Sequence, residues 1–271
     1  MCMGFGCNAA GVVGCRIIDS PRERMVAVLT NAFVPCNGRF PALIAVITLF
    51  FAGSAAAGAA LLALLVVLAV AMTLLVSRIL SATVLKGMPS FFALEMPPYR
   101  RADVGRILVR SLLDRTAFVL GRALAVAAPA GLLIWALGRL GLTGALAGAL
   151  DPLGRLLGLD GVILLAFLLG LPANEIVIPI ILMCALAQTT LTDYSSLAEL
   201  GAILRGAGWT AKTAGCFLLF ELFHAPCSTT LLTIRRECGA WRYSALAAAL
   251  PTAVGMALCM AVNLLWSLFG G

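Results

Sequence analysis

Apolar residues run along this chain in stretches long enough to cross a bilayer, and polar residues fall mainly between them. About 20 consecutive apolar residues make a transmembrane helix. Segments 26–52, 58–85, 116–140, 161–188, 212–234 and 244–268 meet that pattern. Residues 58–85 and 244–268 read as ordinary spans. Three others are interrupted by residues that a lipid-facing helix avoids. Residues 26–52 contain Pro35-Cys36-Asn37-Gly38-Arg39-Phe40-Pro41, and 161–188 contain Gly170-Leu171-Pro172-Ala173-Asn174-Glu175. Residues 212–234 contain Glu221 and then His224-Ala225-Pro226-Cys227-Ser228-Thr229-Thr230. Non-helical backbone survives at membrane depth only where protein or a polar cavity satisfies it. The breaks therefore point to a site.

The breaks also recur. Gly4-Phe5-Gly6-Cys7-Asn8-Ala9 resembles Gly170-Leu171-Pro172-Ala173-Asn174-Glu175 at an offset of 166 residues. Pro35-Cys36-Asn37-Gly38 resembles Pro226-Cys227-Ser228-Thr229 at an offset of 191, the difference falling in a longer connector around 189–211. Each half thus reads as a Gly/Asn break, a polar connector and a helix broken at Pro-Cys. Paired interruptions in two halves are the best pointer in a sequence to a transporter binding site.

Composition narrows the class. Of 271 residues 62% are hydrophobic and 11% charged, against about 45–50% and about 25% in a soluble domain. Too little polar surface exists to cover a water-soluble globule, which excludes cytosolic enzymes and nucleic-acid binders. The net charge of +7 comes from 17 Arg and 2 Lys against 12 acids, most of them flanking apolar runs. Basic residues gather in 16–24, 86–115 and 235–243, whereas 53–58 has none and 139–160 and 189–212 are balanced by acids. The positive-inside rule makes the first three cytoplasmic and the others external. One arrangement fits: 161–188 forms a re-entrant hairpin with its tip at Pro172-Ala173-Asn174, and 1–15 is the returning arm of an oppositely oriented hairpin. The expected fold is an all-α polytopic membrane protein of two inverted repeats with broken helices and re-entrant hairpins. Its expected units are 1–57 (first repeat, incomplete at its N-terminus), 58–85 (span), 86–115 (cytoplasmic amphipathic connector), 116–140 (span), 141–243 (second repeat) and 244–271 (C-terminal span). In the connector, Arg106 and Arg110 share a helix face, which suits anionic lipid or a docked partner. Residues 1–15 lack the arm they should pack against, so the chain reads as the later part of a longer protein or one half of a split one.

The breaks carry chemistry as well. Nine cysteines in no secreted-type framework read mostly as small hydrophobes on packed helices. Cys7, Cys36 and Cys227 stand apart because they sit at breaks. Thiolate and imidazole suit iron and other transition metals, and carboxylate or carbonyl oxygen suits harder ions. His224 and Cys227 are three apart, a spacing that stacks them on one helix face. Pro226 between them frees upstream carbonyls as further oxygen donors. Glu221 at membrane depth carries an insertion penalty of about 2.5–3.5 kcal/mol, so it should face a cavity or be protonated. Asn174, beside Glu175, fits the start of a half-helix as a cap, and Arg39 invites a salt bridge to Glu221 or Glu175. Asn8, Asn37, Pro172 and Pro226 complete the set of break residues. No H-E-x-x-H, C-x-x-C or G-x-x-x-x-G-K-[ST] motif occurs, and no enzyme is expected.

GFGCN, PCNGRFPALIAVITLFF, LKGMPSFFALEMPPYRR, LDRTAFVLGRALAVAAPAGLLIW, LDPLGRLLGLDGVILLAFLLGLPANEIVIPIILM and HAPCSTTLLTIRRE together resemble the membrane region of ferrous iron transport protein B. The resemblance covers almost the whole chain and implies two Gate motifs whose cysteines contact iron: Cys7 and Cys36 in the first, Cys227 in the second. It implies Fe(II) as transported substrate with no permanently bound cofactor, and a multi-pass protein of the bacterial cytoplasmic membrane. GTP would act only through a GTP-binding domain on another part or partner, since no phosphate loop is present. The other expected partners are the bilayer and a second copy of the chain, with no nucleic acid. Gate repeats are also associated with nucleoside-type carriers, so another solute is the rival reading. A non-transporting membrane scaffold is the rival from a different class.

Overall fold

The computed structural model describes residues 2–83, 103–110 and 118–269. Its elements are all helical, with no strand among the described residues. In chain order they are α1 (Asn8–Gly14), α2 (Pro21–Thr30), α3 (Phe40–Phe50), α4 (Ala55–Thr83), α5 (Val104–Arg110), α6 (Phe118–Arg139) and α7 (Leu142–Leu156), followed by α8 (Gly161–Leu169), α9 (Val177–Ala185), α10 (Leu197–Gly206), α11 (Ala211–Phe223), α12 (Ser228–Cys238) and α13 (Trp241–Phe269). Short 3-10 turns at Asn31–Phe33, Asn37–Arg39 and Asn174–Ile176 join the helices at the breaks. Most of the proposed connector, residues 86–102 and 111–115, lies outside the described residues.

Four stretches are long and apolar enough to cross a membrane: Pro21–Phe50, Ala55–Thr83, Ala211–Cys238 and Trp241–Leu268. The pair Leu124–Arg139 and Leu142–Leu156, bent by 95°, makes a fifth if counted as one span. The chain is thus a multi-pass helical membrane protein. Helix α4 presents Leu64, Val67 and Leu74 with more than half their surface free, a pattern that suits contact with lipid. The packed interior lies instead between α3, α8, α9 and α11, where Leu43, Ile163, Ile180 and Phe217 are fully buried.

Local chemistry sets the helix starts. Ser20 accepts from the Glu23 N–H with Pro21 in the first turn, and Asp160 accepts from the Ile163 N–H at 2.7 Å. Ser196 and Thr210 cap α10 and α11 in the same way, each satisfying an amide that the helix cannot. Two helices, α7 and α10, occupy the segments 139–160 and 189–212 that the charge pattern places outside. Helix α7 forms because Leu146, Leu150, Leu153 and Leu157 repeat at helical spacing. Gly141, at φ +65°, turns the chain into it. It can lie close against α8 because Gly161 has no Cβ, which would otherwise strike the Ala147 carbonyl. Helix α10 occupies the longer connector and touches α3 and α9.

Candidate functional site

Both predicted Pro-Cys segments break their helices. After α2 the chain runs extended through Val34 and Cys36 before α3. After α11 it runs extended from His224 to Cys227 before α12. Cys36 (φ −86°, ψ 168°) and Cys227 (φ −58°, ψ 154°) have closely similar backbones. Cys7 (φ −155°, ψ 123°) and Ala173 (φ −151°, ψ 120°), which precede Asn8 and Asn174, agree even more closely. Each break is tied to the Gly/Asn turn of its own half. The Asn37 N–H donates to the Gly6 carbonyl at 3.4 Å, and the Ser228 N–H donates to the Leu171 carbonyl at 2.7 Å.

The two breaks also meet each other. Arg39, fully buried, reaches from the first break into the second. Its Nη1 donates to the Leu222 carbonyl at 2.8 Å, and its Nη2 donates to the carbonyls of His224 at 2.8 Å and Ala225 at 3.3 Å. Leu222 lies four residues before Pro226, and proline has no N–H to return the helical bond. The guanidinium supplies that missing donor. Carbonyls that the sequence suggested as free ligands are therefore occupied by Arg39, and the suggested salt bridge from Arg39 to Glu221 or Glu175 is not formed among the described residues. Gly38 brings the first break against the exposed Glu175: a Cβ there would lie 3.1 Å from the Glu175 Cγ and Oε1.

His224 and Cys227 do not stack on a helix face, since Pro226 ends regular helix at Phe223 and the residues between are extended. The His224 ring sits between Phe167, at 4.9 Å, and Phe220, at 6.3 Å between centroids. Its Nδ1 approaches the carbonyls of Glu221 at 2.9 Å and Phe220 at 3.2 Å. As donor there, Nδ1 leaves Nε2 as the acceptor. The ring forms part of the wall of an apolar cavity of about 230 Å³ that Leu153, Leu164, Phe167, Thr252 and Met256 also line. Glu221 is fully buried and neither carboxylate oxygen has a hydrogen-bond partner; its Oε2 stands 4.0 Å from His224 Nδ1.

The Asn37 bond to Gly6 and the Arg39 bonds to the second break bring together the segments that carry Cys7, Cys36 and Cys227; Cys7 is exposed, while Cys36 and Cys227 are half-buried. Among the described residues no three His, Cys, Asp or Glu side chains stand close enough to hold one metal ion. Asn8 and Asn174 are both buried but differ in role. With its amide turned to donate, Asn8 bonds the carbonyls of Gly4 at 3.1 Å and Val34 at 3.2 Å. Asn174 does not cap its half-helix, and its amide, like the Ser228 hydroxyl nearby in the fold, has no side-chain hydrogen bond. Asn37 is exposed, Pro172 half-buried and Pro226 buried. The sequence reading missed how Arg39 is used. The one available signal was a cation inside an apolar segment, next to a break and with no acid nearby in sequence.

Discontinuous helices meeting inside a polytopic bundle define a multi-pass membrane protein with broken spans. Residues 120–241 match the Gate family model, described as "Nucleoside recognition". Residues 62–114 match "Ferrous iron transport protein B C terminus". The Fe(2+) transporter FeoB of Staphylococcus aureus (strain COL) is 27% identical over 266 residues, covering 93% of this chain and 38% of the relative. The Fe(2+) transporter FeoB of Methanocaldococcus jannaschii is 23% identical over 289 residues, covering 99% of this chain and 41% of the relative. That of Salmonella typhimurium is 32% identical over 118 residues, 44% of this chain and 15% of the relative. The chain is therefore similar over nearly its whole length to part of these Fe(2+) transporters, and it spans about two-fifths of the length of the first two relatives. No solved structure matches it significantly.

Proposed function

We propose that this chain is the permease portion of a ferrous iron importer of the bacterial cytoplasmic membrane, built as two inverted Gate repeats. Fe(II) passes where the two breaks meet, handed between Cys7, Cys36 and Cys227, with His224 and Glu221 beside the second break. Asn174, Glu175 and Asn8 line or shape the hairpin turns on either side. The observation that carries this reading is the convergence of the breaks: Arg39, three residues after Cys36, is bonded to carbonyls two and three residues before Cys227. The likeness to Fe(2+) transporters supplies the substrate. A loose gathering of soft donors suits an ion that must be released again, because a tight cage would trap it. GTP enters through a GTP-binding domain outside this chain, which drives or gates the path; this chain itself performs no enzymatic step. A second copy of the chain is a further partner.

The test is anaerobic Fe(II) entry into proteoliposomes, comparing the parent with a Cys36→Ser, Cys227→Ser version, each with and without the N-terminal portion of the relatives. Uptake that vanishes in the double variant supports the thiol path. Equal uptake by both ends it.

A nucleoside-type solute is the second reading, favoured by the match to the Gate family, whose description is "Nucleoside recognition". The cavity beside His224 argues against it. Apart from His224, Thr252 is its one polar side chain, whereas sugar hydroxyls and a base require several fixed donors and acceptors. Competition of a nucleoside with Fe(II) uptake distinguishes the two.

A further inference from the structure

The carbonyls at the second break face a positive charge in an arrangement that does not need that charge to be Arg39. Leu222, His224 and Ala225 direct three carbonyl oxygens at one guanidinium. They do so at the C-terminal end of α11, where the helix dipole already favours a cation. Just ahead of them stands Glu221, fully buried with both carboxylate oxygens unpartnered. A buried carboxylate with no hydrogen bond is costly unless protonated or matched by a nearby cation. Arg39 uses only its two terminal nitrogens, and its Nε has no partner, so its hydrogen bonds are all at the tip.

We propose that the Leu222, His224 and Ala225 carbonyls form an oxygen-donor seat for a divalent cation, with the buried Glu221 carboxylate as its counter-charge, and that the Arg39 guanidinium is a tethered competitor which closes that seat. Carbonyl and carboxylate oxygen suit Mn²⁺ and other hard divalent ions more than softer ones. The seat is distinct from the thiols: Cys227 lies beyond Pro226, and its Sγ is paired with the Thr230 hydroxyl at 3.3 Å. Entry of the ion moves Arg39 out of the second break, which uncouples the two halves where they are joined. Ion binding and rearrangement of the breaks become one event. This inference rests on the reading of the second break as part of an ion path.

The experiment measures Mn²⁺ binding to the full chain in lipid nanodiscs, from the loss of the free-ion paramagnetic resonance signal. An apparent affinity is reduced by the fraction of sites that a competing state holds closed, so removing the competitor should tighten binding by about tenfold or more. Arg39→Met is expected to show that gain and Glu221→Gln a loss of similar size. Where Arg39→Met fails to give a monodisperse protein, Arg39→Lys serves with the same expected direction, because a single ammonium nitrogen on a shorter side chain cannot fill both positions that the two guanidinium nitrogens occupy. Wild-type affinity in Glu221→Gln overturns the seat, as does a folded Arg39 variant that binds no more tightly. Loss of binding in Cys36→Ser, Cys227→Ser with Glu221→Gln unchanged also overturns the seat and leaves the thiol path standing. No Mn²⁺ binding by the parent or by the Arg39 variants overturns the seat alone. The path reading falls only with Fe(II) uptake.

Discussion

Arg39 Nη1 lies 2.8 Å from the carbonyl oxygen of Leu222, the carbonyl that Pro226 deprives of its helical donor. One residue of the first half thereby completes the backbone bonding of a helix in the second, 183 positions away in sequence. The fit explains how a broken helix and a buried cation coexist in an apolar interior. Each satisfies the other.

Removing that side chain leaves the buried carbonyls of Leu222 and His224, and the part-buried one of Ala225, without this donor. Arg39→Ala is expected to lower stability by about 3 kcal/mol or more, each unsatisfied buried acceptor costing about 1–3 kcal/mol before water or rearrangement relieves it. Arg39→Lys should recover part of the loss. Thermal unfolding in one fixed detergent reads both, and an unchanged midpoint for Arg39→Ala would show that water satisfies the break equally well.

Close backbone approach holds α7 on α8. Gly161→Ala is expected to cost about 3 kcal/mol or more, because the added carbon meets the fixed Ala147 carbonyl rather than a side chain that can turn away. Gly148, on the same α7, faces open space, with no atom within 4 Å of the place a Cβ would take. Gly148→Ala should instead gain about 0.5–1 kcal/mol from helix propensity. Opposite signs for the two alanines, read from denaturation midpoints, check the packing of this pair.

Thiol burial gives a third prediction. Cys216 and Cys259 are fully buried between α11 and α13, with the Cys259 thiol donating to the Cys216 carbonyl at 3.2 Å. Cys2 and Cys7 are exposed. Native alkylation followed by peptide mass analysis should modify Cys2 and Cys7 first and reach Cys216 and Cys259 only on unfolding. Early labelling of Cys216 would show that α11 and α13 separate readily.

The Asp160 cap anchors the N-terminus of α8, whose far end leads into the hairpin turn at Pro172. Asp160→Ala is expected to cost about 1 kcal/mol, and Asp160→Asn much less, since asparagine caps comparably. The two unfolding midpoints, compared with the parent, report it. Equal losses would mean that the charge matters and the cap does not.

Apolar runs and their interruptions were legible in the sequence because they obey local rules. A span needs length and continuous apolarity, and Pro-Cys-Asn-Gly or Ala-Pro-Cys stops a helix wherever it stands. So the helices broken at Pro35-Cys36 and Pro226-Cys227, the turn before Asn174 and the all-helical membrane class could be read from residues alone. Tertiary structure decided what each break does with its freed polar groups, since that depends on residues far away in the chain. Only packing shows that the carbonyls near His224 belong to Arg39, that the His224 ring turns to an apolar cavity away from Cys227, and that the Asn174 amide stands unpartnered while the equivalent Asn8 is bonded. The physical reason is the same throughout. A sequence reveals which backbone groups lose their local hydrogen bonds, but the partners that replace them come from elsewhere in the fold.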